Sequence, residues 1–231
     1  MNRRHFLQTL AVAATPSIAF TAEASDSPLG PLQADPNRIL DLPKGFSYQI
    51  VSRAGDRMSD GLRVPKAADG MGAFAGADGR VILVCNHELK DGDAEHGAFE
   101  EGMPLPDFVK DKIYDAGGGK TPMTGGTTTT IYNPATGKTE KQFLSLAGTE
   151  LNCAGGTTPW GSWLTCEECV NPAGVRRGVH RDKAHGYVFE VPAGATGLVK
   201  AEPIRAMGRF EHEAAAVDPD TGIVYPVSYT H

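Results

Sequence analysis

One five-residue pattern occurs twice in this chain, as Asn133-Pro134-Ala135-Thr136-Gly137 and as Asp218-Pro219-Asp220-Thr221-Gly222. Proline presets the backbone for a turn and glycine accepts the positive φ at its end, so each copy predicts a β-hairpin tip. Ala77-Asp78-Gly79 is a third turn signal. Short β-rich runs lie between the turns. Phe46, Tyr48 and Ile50 are spaced two apart, and Val81-Ile82-Leu83-Val84 dominate residues 80–85. Residues 127–132 are polar and β-branched, and residues 186–191 and 223–227 are further candidates. Short strands with recurring hairpin tips predict a mainly β chain, a β-propeller built by radial repetition or, failing that, a β-sandwich. Residues 91–123 break the pattern and read as an inserted loop with a short helix around residues 106–114.

Composition narrows the function classes. The 22 basic and 28 acidic residues give a net charge of -6, which disfavours nucleic acid as a partner and suits the binding of cations. Four cysteines among 231 residues are too few for a disulfide scaffold. The 28 glycines and 16 prolines stay below the ~25–30% that marks low-complexity disorder.

The first 24 residues read as an export signal. Arg3-Arg4 precede Phe6-Leu7 and a moderately apolar run interrupted by Pro16, and Ala22-Glu23-Ala24 gives a small-x-small cleavage pattern. The run is too short for a membrane span of ~20 residues. Twin arginines here indicate the Tat translocase as an export partner and a periplasmic or secreted protein. The mature domain is then residues 25–231, with no stable membrane span.

Three clusters of acidic and soft residues sit at strand ends. The first is Asn86-His87-Glu88. The second runs Glu150-Leu151-Asn152-Cys153-Ala154-Gly155-Gly156, with Cys166-Glu167-Glu168 beyond it. The third is Arg209-Phe210-Glu211-His212-Glu213. Carboxylates at the ends of apolar strands are costly to bury unless paired or bound to a cation. Carboxylate and amide oxygens suit calcium, and an added thiolate suits a metal such as iron. Cys153 reads as sitting in a Gly-rich bend. Cys166 and Cys169 have CxxC spacing, which in an exported protein suits a disulfide or a redox pair; without a second pair a structural zinc site lacks its other half, and the favoured reading is two structural thiols. Gly119-Lys120-Thr121 imitates the end of a P-loop, but position 114 is Tyr where that motif needs Gly, so the stretch reads as a flexible Gly/Thr loop.

On these segments the chain resembles the PhoX family of exported alkaline phosphatases. The similarity rests on the twin-arginine leader, Cys85-Asn86-His87-Glu88-Leu89, Gly125-Gly126-Thr127-Thr128-Thr129 and Asn152-Cys153-Ala154-Gly155-Gly156-Thr157-Thr158-Pro159-Trp160-Gly161. It continues through Leu164-Thr165-Cys166-Glu167-Glu168, Gly186-Tyr187-Val188-Phe189-Glu190-Val191 and Gly208-Arg209-Phe210 to Glu213 with Val217-Asp218-Pro219. It implies a β-propeller and a phosphatase that uses iron and calcium to hydrolyse small phosphate esters. It further implies Cys153 as the thiolate ligand of iron, with Glu88, Glu168 or its neighbour Glu167, and Glu213 as carboxylate ligands. Asn86, Asn152 and His212 would stand in or just behind that shell. Arg209 would face the phosphate, with Arg176-Arg177 as other candidates.

Family members are longer, and continue after the third cluster with a Tyr-x-Thr-Glu-Asp pattern. Here that place reads Tyr225-Pro226-Val227-Ser228-Tyr229-Thr230-His231. Pro226 would interrupt a central strand. The expectation is a C-terminally truncated member with an open, incomplete propeller, so whether this chain is itself an enzyme stays open. The alternative is a non-catalytic exported β-domain that binds calcium or a partner. A calcium-dependent lactonase is disfavoured, because an all-oxygen calcium site has no use for Cys153.

Overall fold

The computed structural model describes residues 28–90, 93–100 and 102–228, so the leader with Arg3 and Arg4 lies outside the described residues. The chain divides into two units, Met1–Gln49 and Ile50–His231. In the first, β1 (Leu32–Gln33) pairs antiparallel with β2 (Leu42–Pro43). Asp35 accepts from the backbone N–H groups of Asn37, Ile39 and Leu40 and from the Tyr48 hydroxyl at 2.7 Å. The Tyr48 bond first, then those backbone donors, hold its carboxyl down at about 2. Residues 46–50 form no strand, contrary to their alternation. Phe46 and Ile50 are exposed, so the alternation buries nothing, and Tyr48 is spent on Asp35.

The second unit is mainly β. β3 (Ala68–Ala75), β4 (Val81–His87), β5 (Gly125–Asn133) and β6 (Lys138–Thr149) form a four-stranded antiparallel meander in sequence order, as in one propeller blade. β7 (Asn152–Thr157), β8 (Ser162–Glu167) and β11 (Val188–Pro192) make a second sheet in the order β11-β8-β7. β9 (Gly174–Arg176) and β10 (Val179–Arg181) form a hairpin, as do β12 (Ala214–Val217) and β13 (Val224–Val227). Among the described residues no sheet closes on itself, as in an incomplete propeller.

Each turn signal joins two paired strands: residues 77–79 join β3 to β4, 133–137 join β5 to β6, and 218–222 join β12 to β13. The helix expected around residues 106–114 is the single turn α1 (Asp107–Lys110), pinned by the buried Val109. Thr127 to Thr130 of β5 are buried rather than surface-facing, and Thr127 Oγ1 pairs with Ser145 Oγ at 2.7 Å. Leu146, Trp163, Phe189 and Val191 pack as one core cluster, each apolar side chain contributing about 1.5–3 kcal/mol by leaving water.

Cys153 lies in strand β7 and not in a bend. The adjacent glycines serve close approach. A Cβ on Gly155 would stand 1.8 Å from the Leu164 carbonyl oxygen, and one on Gly156 would stand 1.9 Å from that of Ala215. Glycine at these positions lets β7 lie against β8 and β12 at once.

Candidate metal centre

The first strands of three successive sheets, β3, β7 and β12, are neighbours, with β7 between the other two. Each brings a residue to its N-terminal end. Asp69 lies in β3 at a register shift, Cys153 in β7, and Glu213 directly before β12. The antiparallel partners return to the same end. Ala68 pairs with His87, so Glu88 follows β4 there, and Asn152 pairs with Glu167, so Glu168 follows β8 there. Topology thus collects Asp69, Glu88, Cys153, Glu168 and Glu213 at one edge.

The electrostatics show the crowding. Burial raises the Glu88 carboxyl, a hydrogen bond and charge from Asp69 raise it further, and the charge of Lys90 opposes them. Burial pushes the Cys153 thiol up to about 12, followed by the charges of Asp69, Glu168 and Glu88, and the thiol is hydrogen-bonded to Glu168. Glu213 is raised by burial, then by Glu168 and Asp69. Its Oε2 is shut off from solvent with no hydrogen-bond partner. Among the described residues no three His, Cys, Asp or Glu side chains stand as a ready coordination set. The donors instead face one another in pairs, Glu88 with Asp69 and Cys153 with Glu168.

Glu167 and Glu168 occupy different surroundings. Glu167 is fully buried, and its Oε1 accepts from His185 Nδ1 at 2.6 Å and from the Glu150 N–H at 2.9 Å. Its Oε2 accepts from the N–H groups of Gly186 at 2.7 Å and Tyr187 at 3.0 Å. These four bonds satisfy Glu167 within the protein. His185 also donates from Nε2 to Asp115 at 3.2 Å. Burial alone would lower its pKa, but the bonds to Asp115 and Glu167 raise it to about 9, so the ring is cationic at neutral pH. Beside it, Arg181 pairs with the buried Glu150 at 2.8 Å.

The remaining expected residues hold backbone or pack. Asn86 is fully buried, donates to the Cys153 and Ala154 carbonyls, and accepts from Trp163 Nε1 at 2.8 Å. Asn152 accepts from Thr149 Oγ1 at 2.6 Å and donates to Thr165 Oγ1 at 2.9 Å. His212 is fully buried against Phe210, with ring centroids 3.7 Å apart, and neither ring nitrogen makes a well-formed hydrogen bond. Arg209 is exposed and donates to the His185 carbonyl at 3.1 Å. Arg176 and Arg177 stand exposed at the β9–β10 hairpin. Cys166 and Cys169 are free buried thiols.

Sequence reasoning missed Asp69. It lies outside every motif, and only the pairing of β3 with β4 brings it beside Glu88. It also missed the buried Asp115, Arg181 and His185, which are far apart in sequence from Glu150 and Glu167.

Residues 27–227 match the family model described as alkaline phosphatase PhoX. Among solved structures, Pseudomonas fluorescens PhoX in complex with vanadate, a transition state analogue, is similar at 18% identity with a TM-score of 0.48. The match covers 81% of this chain and 46% of that one, so this chain spans about half the length of that structure. No curated protein matches.

Proposed function

The chain belongs to the PhoX alkaline phosphatase family, and from that premise we propose that its carboxylate and thiol cluster holds iron and calcium to hydrolyse small organic phosphate esters. The observation that carries this reading is the unpartnered, solvent-free Oε2 of Glu213 within a group of mutually repelling acids. Such a group is costly on its own and fits a bound cation. The donor set matches the two metals. Cys153 is the one soft ligand and would serve iron, while Asp69, Glu88, Glu168 and Glu213 supply the oxygens that either metal accepts. Bound cations would neutralise the charge of a phosphate ester and activate the attacking water.

The protein's own residues then have definite tasks. Glu168 is the ligand of the adjacent glutamate pair, since Glu167 is spent on His185 and three backbone N–H groups. The Cys153 thiol must lose its proton for a cation to bind the sulfur, so metal uptake releases a proton. Asn86 holds the Cys153 backbone in place, and Asn152 braces the start of the same strand. His212, buried beside Glu213, packs the approach to β12. Arg209 keeps guanidinium donors beyond the one given to His185, and is the candidate to face the phosphate.

Among the described residues no helix is long and apolar enough to cross a membrane. The Arg3-Arg4 leader supports Tat-dependent export to the periplasm, where such an enzyme would release phosphate from organic esters. The test is hydrolysis of a chromogenic phosphate ester by the chain loaded with iron and calcium, with and without a calcium chelator. Calcium-dependent turnover is expected. A chain that binds calcium but neither takes up iron nor turns over would instead be a non-catalytic exported β-domain.

A further inference from the structure

A cavity of about 220 Å³ in the second unit carries charge of the opposite sign from the carboxylate cluster. Lys90, Lys120, Thr121, Thr124, His180 and the buried Glu150 are among its lining residues. Several of these groups are already spent. Glu150 accepts from Arg181 Nε at 3.0 and 3.1 Å and from Asn171 Nδ2 at 2.8 Å, so its charge is neutralised from behind. His180 Nε2 pairs with Asp182 at 3.1 Å.

The Gly-rich loop is tied down rather than loose. The Gly117 N–H donates to Asp115 at 2.8 Å and the Gly118 N–H to Asp182 at 2.9 Å. The Gly119 and Lys120 N–H groups donate to the Ala116 and Gly117 carbonyls. The loop therefore offers a ligand its side chains, not its backbone donors.

What remains free is positive. The lysines that pair with carboxylates among the described residues are Lys110 and Lys200, not Lys90 or Lys120. The Thr124 hydroxyl is also spent, donating to the Lys90 carbonyl at 3.3 Å, while Thr121 lines the cavity beside two ammonium groups that pair with no carboxylate among the described residues. Such a lining selects an anion, and two unit charges match a dianion. Lys90 acts electrostatically on Glu88, so the cavity adjoins the acid cluster. Glu150 in the cavity lies three positions before Cys153 in the cluster, across the bend that joins β6 to β7, where Leu151 has a positive φ.

We propose that this cavity is a binding pocket for a phosphate dianion, held by Lys90 and Lys120 with Thr121 as hydroxyl donor. Its use, to hold phosphate bound for or released from the acid cluster, rests on the proposed phosphatase reading. The binding itself does not, because Lys90, Lys120 and Thr121 do not belong to the metal centre.

Titration calorimetry of the metal-free chain, kept in chelator at fixed ionic strength, separates the two. The probes are inorganic phosphate and phenyl phosphate. Inorganic phosphate is expected to bind the unaltered chain and Cys153→Ser equally. Lys90→Gln and Lys120→Gln should each weaken it about tenfold, the loss of one charge-assisted contact. Circular dichroism confirms folding, which these exposed positions should not disturb. If phenyl phosphate competes, the pocket takes the phosphate of an ester as well; if it does not, the pocket serves the free ion. No phosphate binding by the metal-free chain, or equal binding by the double lysine variant, would overturn the proposal. Phosphate binding in a chain whose metal-loaded form shows no turnover would overturn the phosphatase reading and leave the pocket standing.

Discussion

The side-chain amide of Asn86 donates to the carbonyl of Cys153 at 3.1 Å and to that of Ala154 at 2.8 Å, and so ties β4 to the strand that carries the thiol. Its carbonyl oxygen takes the Trp163 indole N–H at 2.8 Å. Replacing Asn86 with Leu leaves three buried polar groups unpaired. The expected loss is about 3 kcal/mol or more, read as a lower urea midpoint, and an unshifted midpoint would contradict the clamp.

Gly156→Ala tests the junction of β7 and β12. The added Cβ would stand 1.9 Å from a backbone oxygen, which cannot rotate away as a side chain could. Overpacking of this kind costs about 1–3 kcal/mol. A lower melting temperature is expected, with reduced iron uptake, because β12 positions Glu213. Unchanged melting would mean the strands do not meet as described.

His185 gives the fold a pH dependence. Burial opposes its charge, yet Asp115 and Glu167 raise its pKa from 6.5 to about 9. Folding therefore favours the protonated ring. The contribution is complete below about pH 6.5 and is lost as the pH rises through about 9. Its size is on the order of 3 kcal/mol at most. Melting temperature should fall across that window in the native chain, and the fall should flatten in His185→Gln. An identical pH profile in the variant would contradict the buried ion pair.

Much of this was legible in the chain. The Asx-Pro-x-Thr-Gly turns became hairpin tips because proline and glycine determine local backbone without help from distant residues. The strand at residues 80–85 was clear because its apolar residues are consecutive. Strand β6 was not, since its first half, Lys138 to Lys141, is charged and exposed, and it is held by pairing with β5. The Phe46, Tyr48 and Ile50 alternation misled, because periodicity marks a strand only where one face is buried. Glu88, Cys153, Glu168 and Glu213 could be proposed from local motifs. Asp69 could not, because its place depends on strand register, and the choice between Glu167 and Glu168 depended on burial.

Asp69→Asn should act with opposite sign in the two metal states. In the metal-free chain it removes a charge that raises Glu88, Cys153 and Glu213, so metal-free stability should hold or rise. In the loaded chain it removes a ligand, and calcium retention should weaken about tenfold or more. Thermal melts with and without calcium check both halves. A variant that loses stability without metal would contradict the account of mutual repulsion.

The most direct test of the metal centre is the iron content and visible absorption of the chain and of Cys153→Ser after identical loading with iron and calcium. The expected result is iron in the unaltered chain with a thiolate-to-iron absorption band, and loss of both in the variant while circular dichroism stays the same. A variant that keeps the same iron content and the same band would contradict the assignment of Cys153, and with it the centre built around it.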